Sequence, residues 1–307
     1  MIVCCGEALI DMLLREIEGE GAGYLPVSGG AVFNTAITLG RLGEKAGFFT
    51  GLATDLFGQQ IEQSLADANV DASFCKRHDL PTTLAFVKLT DGHAEYAFYD
   101  ENSAGRMITK EDLPSFGDDV QALHFGAISL IPDPCGSTYE ALMAREAENR
   151  VISFDPNIRP SFIKDEGAYR GRMERMLKLA DIIKLSDEDM DWLMPGQTFE
   201  EVSAQLISNS ASIVLMTKGS AGVDAVTRSG TFSAPAKDAI VIDTVGAGDS
   251  FNGGFLAGLR RNNCLSKSAL AEITEAQLLD ALDLATDVAA VTVSRAGANP
   301  PWQNELG

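Results

Sequence analysis

Residues 243–251 read Asp-Thr-Val-Gly-Ala-Gly-Asp-Ser-Phe, and the second acid of that string, Asp249, stands where a carboxylate needs a chemical reason. Gly246 and Gly248 permit backbone angles with φ > 0, so successive N–H groups at the start of a helix can converge on an anion, and the helix dipole adds partial positive charge there. A carboxylate inside such a cradle would repel a resting phosphate. General-base work accounts for it: Asp249 takes the proton of a hydroxyl that attacks a phosphoryl group while the N–H groups hold the developing charge. Equally, Asp249 is a first-turn residue stabilised by the dipole. These residues alone leave both accounts open.

Other stretches could share the chemistry. Ile2-Val3-Cys4-Cys5 reads as a buried strand running into Gly6-Glu7-Ala8-Leu9-Ile10-Asp11; ligands gather at the carboxyl ends of strands in open α/β sheets, so Asp11 is either a site residue or a solvated loop acid. Gly29 and Gly30 let a ligand approach the backbone, and Asn34, in the first turn of the helix that follows, both donates and accepts hydrogen bonds, as a polyol requires. An ordinary glycine-rich loop is the alternative. Asp155-Pro156-Asn157-Ile158-Arg159-Pro160 is stiffened by its two prolines, and Arg159 offers a planar fork for phosphate or vicinal oxygens, or else a surface ion pair. Lys184 lies in a strand that ends in the polar cluster Ser186-Asp187-Glu188-Asp189; it could neutralise phosphate, although an acidic helix start needs no metal to explain it.

To position these residues, Asp249 needs a strand-to-helix turn. Ala239-Ile240-Val241-Ile242 is short, apolar and β-branched and reads as a buried strand, while Phe251, Phe255 and Leu259 share one helical face. Gly253, Gly254 and Gly258 cost that helix roughly 1 kcal/mol each relative to Ala, which close helix packing would explain. Strands alternating with helices predict an α/β fold, a mainly parallel central sheet with helices on both faces, in one domain over 1–307. Residues 12–28 and 82–100 interrupt the rhythm. The second insert holds two alternating runs joined across Asp91-Gly92, a hairpin signal, and the two inserts are expected to form a small β-sheet lid that excludes water.

The nine-residue string around Asp249 resembles the C-terminal signature of the ribokinase-like (PfkB) carbohydrate kinases. Ser28 to Ala36 together with Gly-Leu-Ala-Thr-Asp-Leu-Phe-Gly at 51–58 is similar to the family's N-terminal signature, and Thr217-Lys218-Gly219-Ser220-Ala221-Gly222 resembles its Thr-x-Gly-x-x-Gly element. The Asp-Pro-Asn-Ile-Arg loop is similar to that of members acting on fructose or 2-keto-3-deoxygluconate. The resemblance implies ATP-dependent phosphorylation of a primary sugar hydroxyl, with fructose as the expected acceptor and the keto acid as the alternative. It makes Asp249 the base, assigns Gly246, Ala247 and Gly248 to the anion hole, and has Arg159 hold developing charge. Asp11, Gly29, Gly30, Asn34, Phe98 and Asn157 would line the sugar pocket; Lys184, Ser186, Thr217, Lys218, Gly219 and Gly222 would meet the nucleotide. Magnesium, and a monovalent cation such as potassium, are implied with it. The chain departs from the family's Asn-x-x-Glu, with Ser186 for Asn and Asp189 for Glu, so Asp189 is expected to reach a metal only through water. The keto acid would need a cation for its carboxylate, from Arg106, Arg159 or the remoter Lys88.

Composition bounds the alternatives. A net charge of −20 argues against nucleic-acid and anionic-membrane partners, which such a field repels. Five cysteines without metal spacing read as thiols in a reducing compartment, and an N-terminal run without a basic region, broken by Glu7 and Asp11, is not that of a secretory leader; a cytoplasmic location is expected. No uncharged run is long enough to span a membrane. Gly-Lys occurs nowhere, which excludes a Walker A loop, and Gly6-Glu7-Ala8 stands where a dinucleotide fingerprint would be. A non-catalytic sugar or nucleotide sensor on the same fold has no use for Asp249. The expected partners are therefore a sugar and ATP, in a monomer or a homodimer through the lid.

Overall fold

The computed structural model describes residues 1–17, 19, 21–90 and 93–307, and the side chains of these outside 87–96. Its strands are β1 (Ile2–Cys5), β2 (Leu9–Ile17), β3 (Gly21–Gly29), β4 (Ala46–Phe49), β5 (Gly51–Ala53), β6 (Val70–Asp71), β7 (Lys76–His78), β8 (Leu84–Thr90), β9 (His93–Tyr99), β10 (Ala122–Gly126), β11 (Val151–Asp155), β12 (Ile182–Ser186), β13 (Ile213–Thr217), β14 (Val223–Thr227) and β15 (Gly230–Ala234). Its helices are α1 (Ala31–Arg41), α2 (Leu56–Asp67), α3 (Cys135–Glu146), α4 (Glu166–Leu177), α5 (Asp187–Leu193), α6 (Phe199–Asn209), α7 (Ala247–Arg261), α8 (Lys267–Ala271) and α9 (Glu275–Val293).

The apolar runs become strands buried on both faces. Successive residues of β1 alternate between two cores: Ile2 and Cys4 join the core under α1, α7 and α9, whereas Val3 and Cys5 join the one under α3 and α4. Ile182 and Ile183, and Ile213 and Val214, divide in the same way. A strand covered on both sides has no polar face to show, which is why the runs carry no alternation in hydropathy. Nine strands form the main sheet in the order β15-β14-β13-β12-β11-β10-β1-β4-β6, parallel from β13 to β6 and antiparallel only at the β13-β14-β15 edge. The carboxyl ends of β1, β10, β11, β12 and β13 are thereby set side by side along one edge.

The two inserts meet in a separate four-stranded sheet ordered β3-β2-β8-β9, in which β2 pairs antiparallel with β3 and parallel with β8. The Asp91-Gly92 turn itself lies outside the described residues, as do the side chains of Lys88 and His93. Helix α7 is pressed from two sides: a Cβ on Gly258 would stand 2.6 Å from Ala281 Cα of α9, and one on Gly253 would stand 2.6 Å from Thr38 of α1. Those close approaches explain the glycines inside the helix.

The run Ala239-Ile240-Val241-Ile242 is not a buried strand. It is irregular and exposed, with Ile240 85% and Ile242 65% accessible. The segment crosses from the edge strand β15 to the start of α7 and is tied to the end of α9, where the N–H groups of Ile242 and Asp243 donate to Val293 O at 2.8 and 3.2 Å. Among the described residues no strand lies alongside to pair with it.

Candidate active site

Asp249 occupies the first turn of α7, whose N-cap is Gly246 in the left-handed conformation (φ 77°) and is free of any capping side chain. At that φ a side chain would be strained, and its Cβ would stand 2.5 Å from Ala298. Helix α1 approaches from the other side. Asn34 Nδ2 donates to Asp249 Oδ2 at 2.9 Å, and Thr35 Oγ1 donates to the Asp249 carbonyl at 3.1 Å. Asp249 is 8% exposed. Burial pushes its carboxyl up to about 7; Asp155 and Glu7 add to the rise, and Asn34 and Lys184 oppose it. A carboxyl poised there exchanges protons near neutral pH, as a general base must.

Behind Asp249 lies a buried ion pair. Lys184 Nζ is 2.8 Å from Asp155 Oδ2, which also accepts from Asn252 Nδ2 at 2.7 Å. Burial works against the Lys184 ammonium, but Asp155 and Asp189 outweigh it and hold the group above its ordinary pKa. A Cβ on Gly248 would stand 3.7 Å from Lys184 Nζ, so this cation lies against the helix start and reinforces its field. Asn157, at φ 42°, lines the crevice with Asp155, Asp249 and Asn252. The neighbouring His124 is neutral: burial, then Lys184, lower its pKa to about 3, and its Nδ1 bonds Ser153 Oγ at 3.0 Å.

The glycine pair packs against two acidic residues. Asp11 Oδ2 lies directly against the backbone of Gly29, where a Cβ would collide with it, and Gly30 turns the chain into α1 at φ 113°. Burial raises the Asp11 carboxyl to about 6. Sequence reading passed over Glu7, which ties the two halves together. Its Oε1 accepts from the N–H groups of Ala31 (2.9 Å) and Val32 (3.4 Å), and its Oε2 from Ser129 N–H (3.3 Å). Glu7, Asp155 and Asn252 had local signals: the first two stand at strand ends, and Asn252 lies one helical turn beyond Asp249.

At the ends of β12 and β13 the register sets Ser186 beside Thr217. Ser186 caps α5, and Asp189 answers it: Asp189 Oδ2 accepts from Ser186 N (2.9 Å) and Oγ (2.7 Å), while Oδ1 accepts from Ile158 N at 2.6 Å. Asp189 therefore ties the Asp155–Arg159 loop to the start of α5, with Oδ1 on Ile158 and Oδ2 on Ser186. Lys218 is bound to Asp224 at 2.6 Å, and Gly219 and Gly222, at φ 54° and 90°, shape the turn after β13. Arg159 is not brought to Asp249; it is exposed and donates to the carbonyl of Ile158 at 3.0 Å. Among the described residues no group of three or more His, Cys, Asp or Glu could hold a metal ion.

A cavity of about 490 Å³ is lined by Glu7, Phe98, Ser129, Tyr169 and Arg172, and Asp249 is not among its lining residues. It lies beyond Glu7, between the small sheet and the main sheet, and Phe98 of β9 lines it with its ring centroid 4.7 Å from that of Phe162. Asp249 instead lines a narrow crevice with Asp155, Asn157 and Asn252.

A buried carboxylate at an uncapped helix start, a cation behind it and a parallel sheet beneath define a phosphotransferase of the ribokinase-like fold. The model of the pfkB family carbohydrate kinases matches residues 1–305, and the chain belongs to that family. It is 51% identical to the fructokinase of Rhizobium leguminosarum bv. trifolii over 92% of this chain and 87% of that one, and 36% identical to the fructokinase of Klebsiella pneumoniae over 83% and 82%. Among solved structures, the ATP-bound fructokinase of Xylella fastidiosa superposes with a TM-score of 0.89 at 31% identity, covering 97% of this chain and 93% of that chain. The fructokinase of Vibrio cholerae O395 with fructose, ADP and calcium gives 0.82 at 29% identity, covering 97% and 94%.

Proposed function

We propose that this chain is an ATP-dependent fructokinase that phosphorylates the 6-hydroxyl of fructose. The observation that carries the reading is Asp249: buried, raised to about 7, held at 2.9 Å by Asn34 and placed in an uncapped first turn. ATP supplies the phosphoryl group. Asp249 takes the proton of the attacking hydroxyl, Asn34 keeps its carboxylate turned toward the sugar, and the N–H groups of Ala247 and Gly248 with Lys184 balance the charge that develops on the transferred group. Asp11, against Gly29, accepts from sugar hydroxyls.

Ile240, Val241 and Ile242 offer an exposed apolar face to the base of the nucleotide, and Thr217, Gly219 and Gly222 border its phosphates. Among the described residues the carboxylates form no cage for magnesium, and both oxygens of Asp189 are taken by Ile158 and Ser186. The ion's fit is therefore to the nucleotide phosphates. The small sheet serves as the lid, with Phe98 meeting Phe162 at its hinge side. A homodimer through that sheet, which leaves Leu14, Tyr24 and Tyr99 exposed, is tested by light scattering with and without sugar.

A neutral sugar is favoured over 2-keto-3-deoxygluconate because Arg106 is already paired with Asp100 at 3.1 Å. The test is ATP turnover with fructose, the keto acid, ribose and adenosine in parallel, in magnesium with potassium or sodium. Turnover of fructose alone supports the reading. Keto-acid turnover reassigns the acceptor, and none at all returns the chain to a sensor.

A further inference from the structure

Buried hydroxyls without partners are rare, because each costs the full loss of its hydration. Tyr169 of α4 carries one. The residue is 2% exposed, its hydroxyl makes no hydrogen bond within the protein, and it lines the cavity under the lid together with Phe98, Ser129 and Arg172. Its ring is locked by an edge contact with Trp192, centroids 5.7 Å apart. Burial, then Asp189, raises the phenol above its ordinary pKa, so the hydroxyl keeps its proton and can donate. Asp155, whose Oδ2 is occupied by Lys184 and Asn252, likewise leaves Oδ1 without a partner. Two unpartnered buried oxygens, one a donor and one an acceptor, thus flank the chamber and the crevice beside Asp249.

Both arginines that line this space are already paired. Arg172 is bound to Asp133 at 2.7 Å and Arg106 to Asp100 at 3.1 Å, while Lys164 is exposed. With the Phe98–Phe162 ring pair as one wall, the lining combines apolar faces with hydrogen-bonding groups, which suits a neutral polyol better than an ion.

We propose that Tyr169 is a specificity-determining residue of the acceptor site, its hydroxyl donating to a sugar hydroxyl other than the one phosphorylated. The inference rests on the sugar-kinase reading and extends it from the crevice at Asp249 into the chamber. It assigns to α4, a helix distant in sequence from both signature strings, a share in choosing the sugar.

Tyr169→Phe removes only the phenol oxygen and keeps the ring on Trp192, so the melting temperature should not fall. The expected result is a KM for fructose raised about tenfold, with kcat and the KM for ATP within twofold of the parent. Monodeoxy fructose analogues that retain the 6-hydroxyl identify the contact: the one lacking the contacted hydroxyl should be used equally well by the parent and by Tyr169→Phe, while the others still separate them. An unchanged fructose KM in Tyr169→Phe would overturn the proposal, showing that solvent satisfies the phenol. If instead the parent enzyme turns over no sugar, the kinase reading itself fails. Should the variant fold poorly, the parent with the same analogues decides: no analogue losing about tenfold in kcat/KM also overturns it.

Discussion

On one flank of the first turn of α7, Asn34, Asp155, Lys184 and Asn252 are buried and bonded to Asp249 or to one another, whereas on the other flank Ile240, Val241, Ile242 and Val245 stand more than half in solvent. The first flank, proposed to hold the sugar, is bonded within the protein, and the second, proposed to meet the nucleotide, is an exposed apolar strip. Preorganised charge stabilises a transition state without rearrangement at the moment of reaction, so with Asp249 as the proposed base the catalytic gain is expected from the bonded flank. An exposed apolar strip supplies affinity but no chemistry. The two flanks should therefore answer mutation differently.

The sharpest break is Asp249→Asn, which keeps an acceptor for Asn34 and removes the base. Turnover should fall about 10³-fold while fructose affinity by calorimetry stays within a few-fold. Near-normal turnover would mean that Asp249 is only a dipole-stabilised first-turn acid. Breaking the ion pair behind it tests rigidity. Lys184→Met leaves Asp155, 4% exposed, as a buried charge with Asn252 alone, and should cost ~3 kcal/mol of stability by denaturant unfolding. Adding Asp155→Asn should recover most of that loss; if it does not, Lys184 contributes through packing and not through charge.

The carboxyl at about 7 links activity to stability in opposite senses. Protonation disables the base, so kcat/KM should fall tenfold per pH unit on the acid side of about 7, and Asp249→Asn should abolish that limb in its residual activity. For folding the sign reverses. A carboxyl raised from 3.8 in the unfolded chain to about 7 when folded stabilises the fold most below the lower value, and that contribution is lost as pH rises through the upper one. Asp249→Asn should consequently stabilise the protein more at pH 8 than at pH 5, by ~2 kcal/mol. An equal effect at both pH values would place the carboxyl's true pKa near that of an exposed acid.

How far the sequence reveals all this depends on whether a residue's role is local. The strands show because runs buried on both faces stay apolar without alternation, and of the small sheet the hairpin β8-β9 shows because its two runs alternate, whereas 12–28 shows only as a break in the rhythm. That β2 would lie parallel to β8 has no local sign, being decided by which insert reaches the other. Asp249 and Asn34 each stand in a recognisable string, yet their 2.9 Å bond joins residues 215 positions apart. Glu7 passes for the polar end of a strand until its oxygens are seen binding α1 and Ser129. The run Ala239-Ile240-Val241-Ile242 misleads for the same reason in reverse: β-branched apolar residues make a strand only where a neighbour can pair with them.

That run gives the mildest test of the contrast between the flanks. Ile242→Ser removes an apolar side chain that is 65% exposed and leaves its N–H bond to Val293 in place. Stability should change by no more than ~0.5 kcal/mol, as expected for a surface position without packing partners. If the strip meets the nucleotide base, the KM for ATP should rise a few-fold with kcat and the fructose KM unchanged, because apolar contact with a non-reacting part of the substrate is made alike in ground and transition states. A fall in kcat would show instead that residues 239–242 help to set the turn at Gly246, whose neighbour Asp243 accepts from Gly297 N at 2.8 Å, and the separation between a rigid catalytic flank and a passive binding flank would no longer hold.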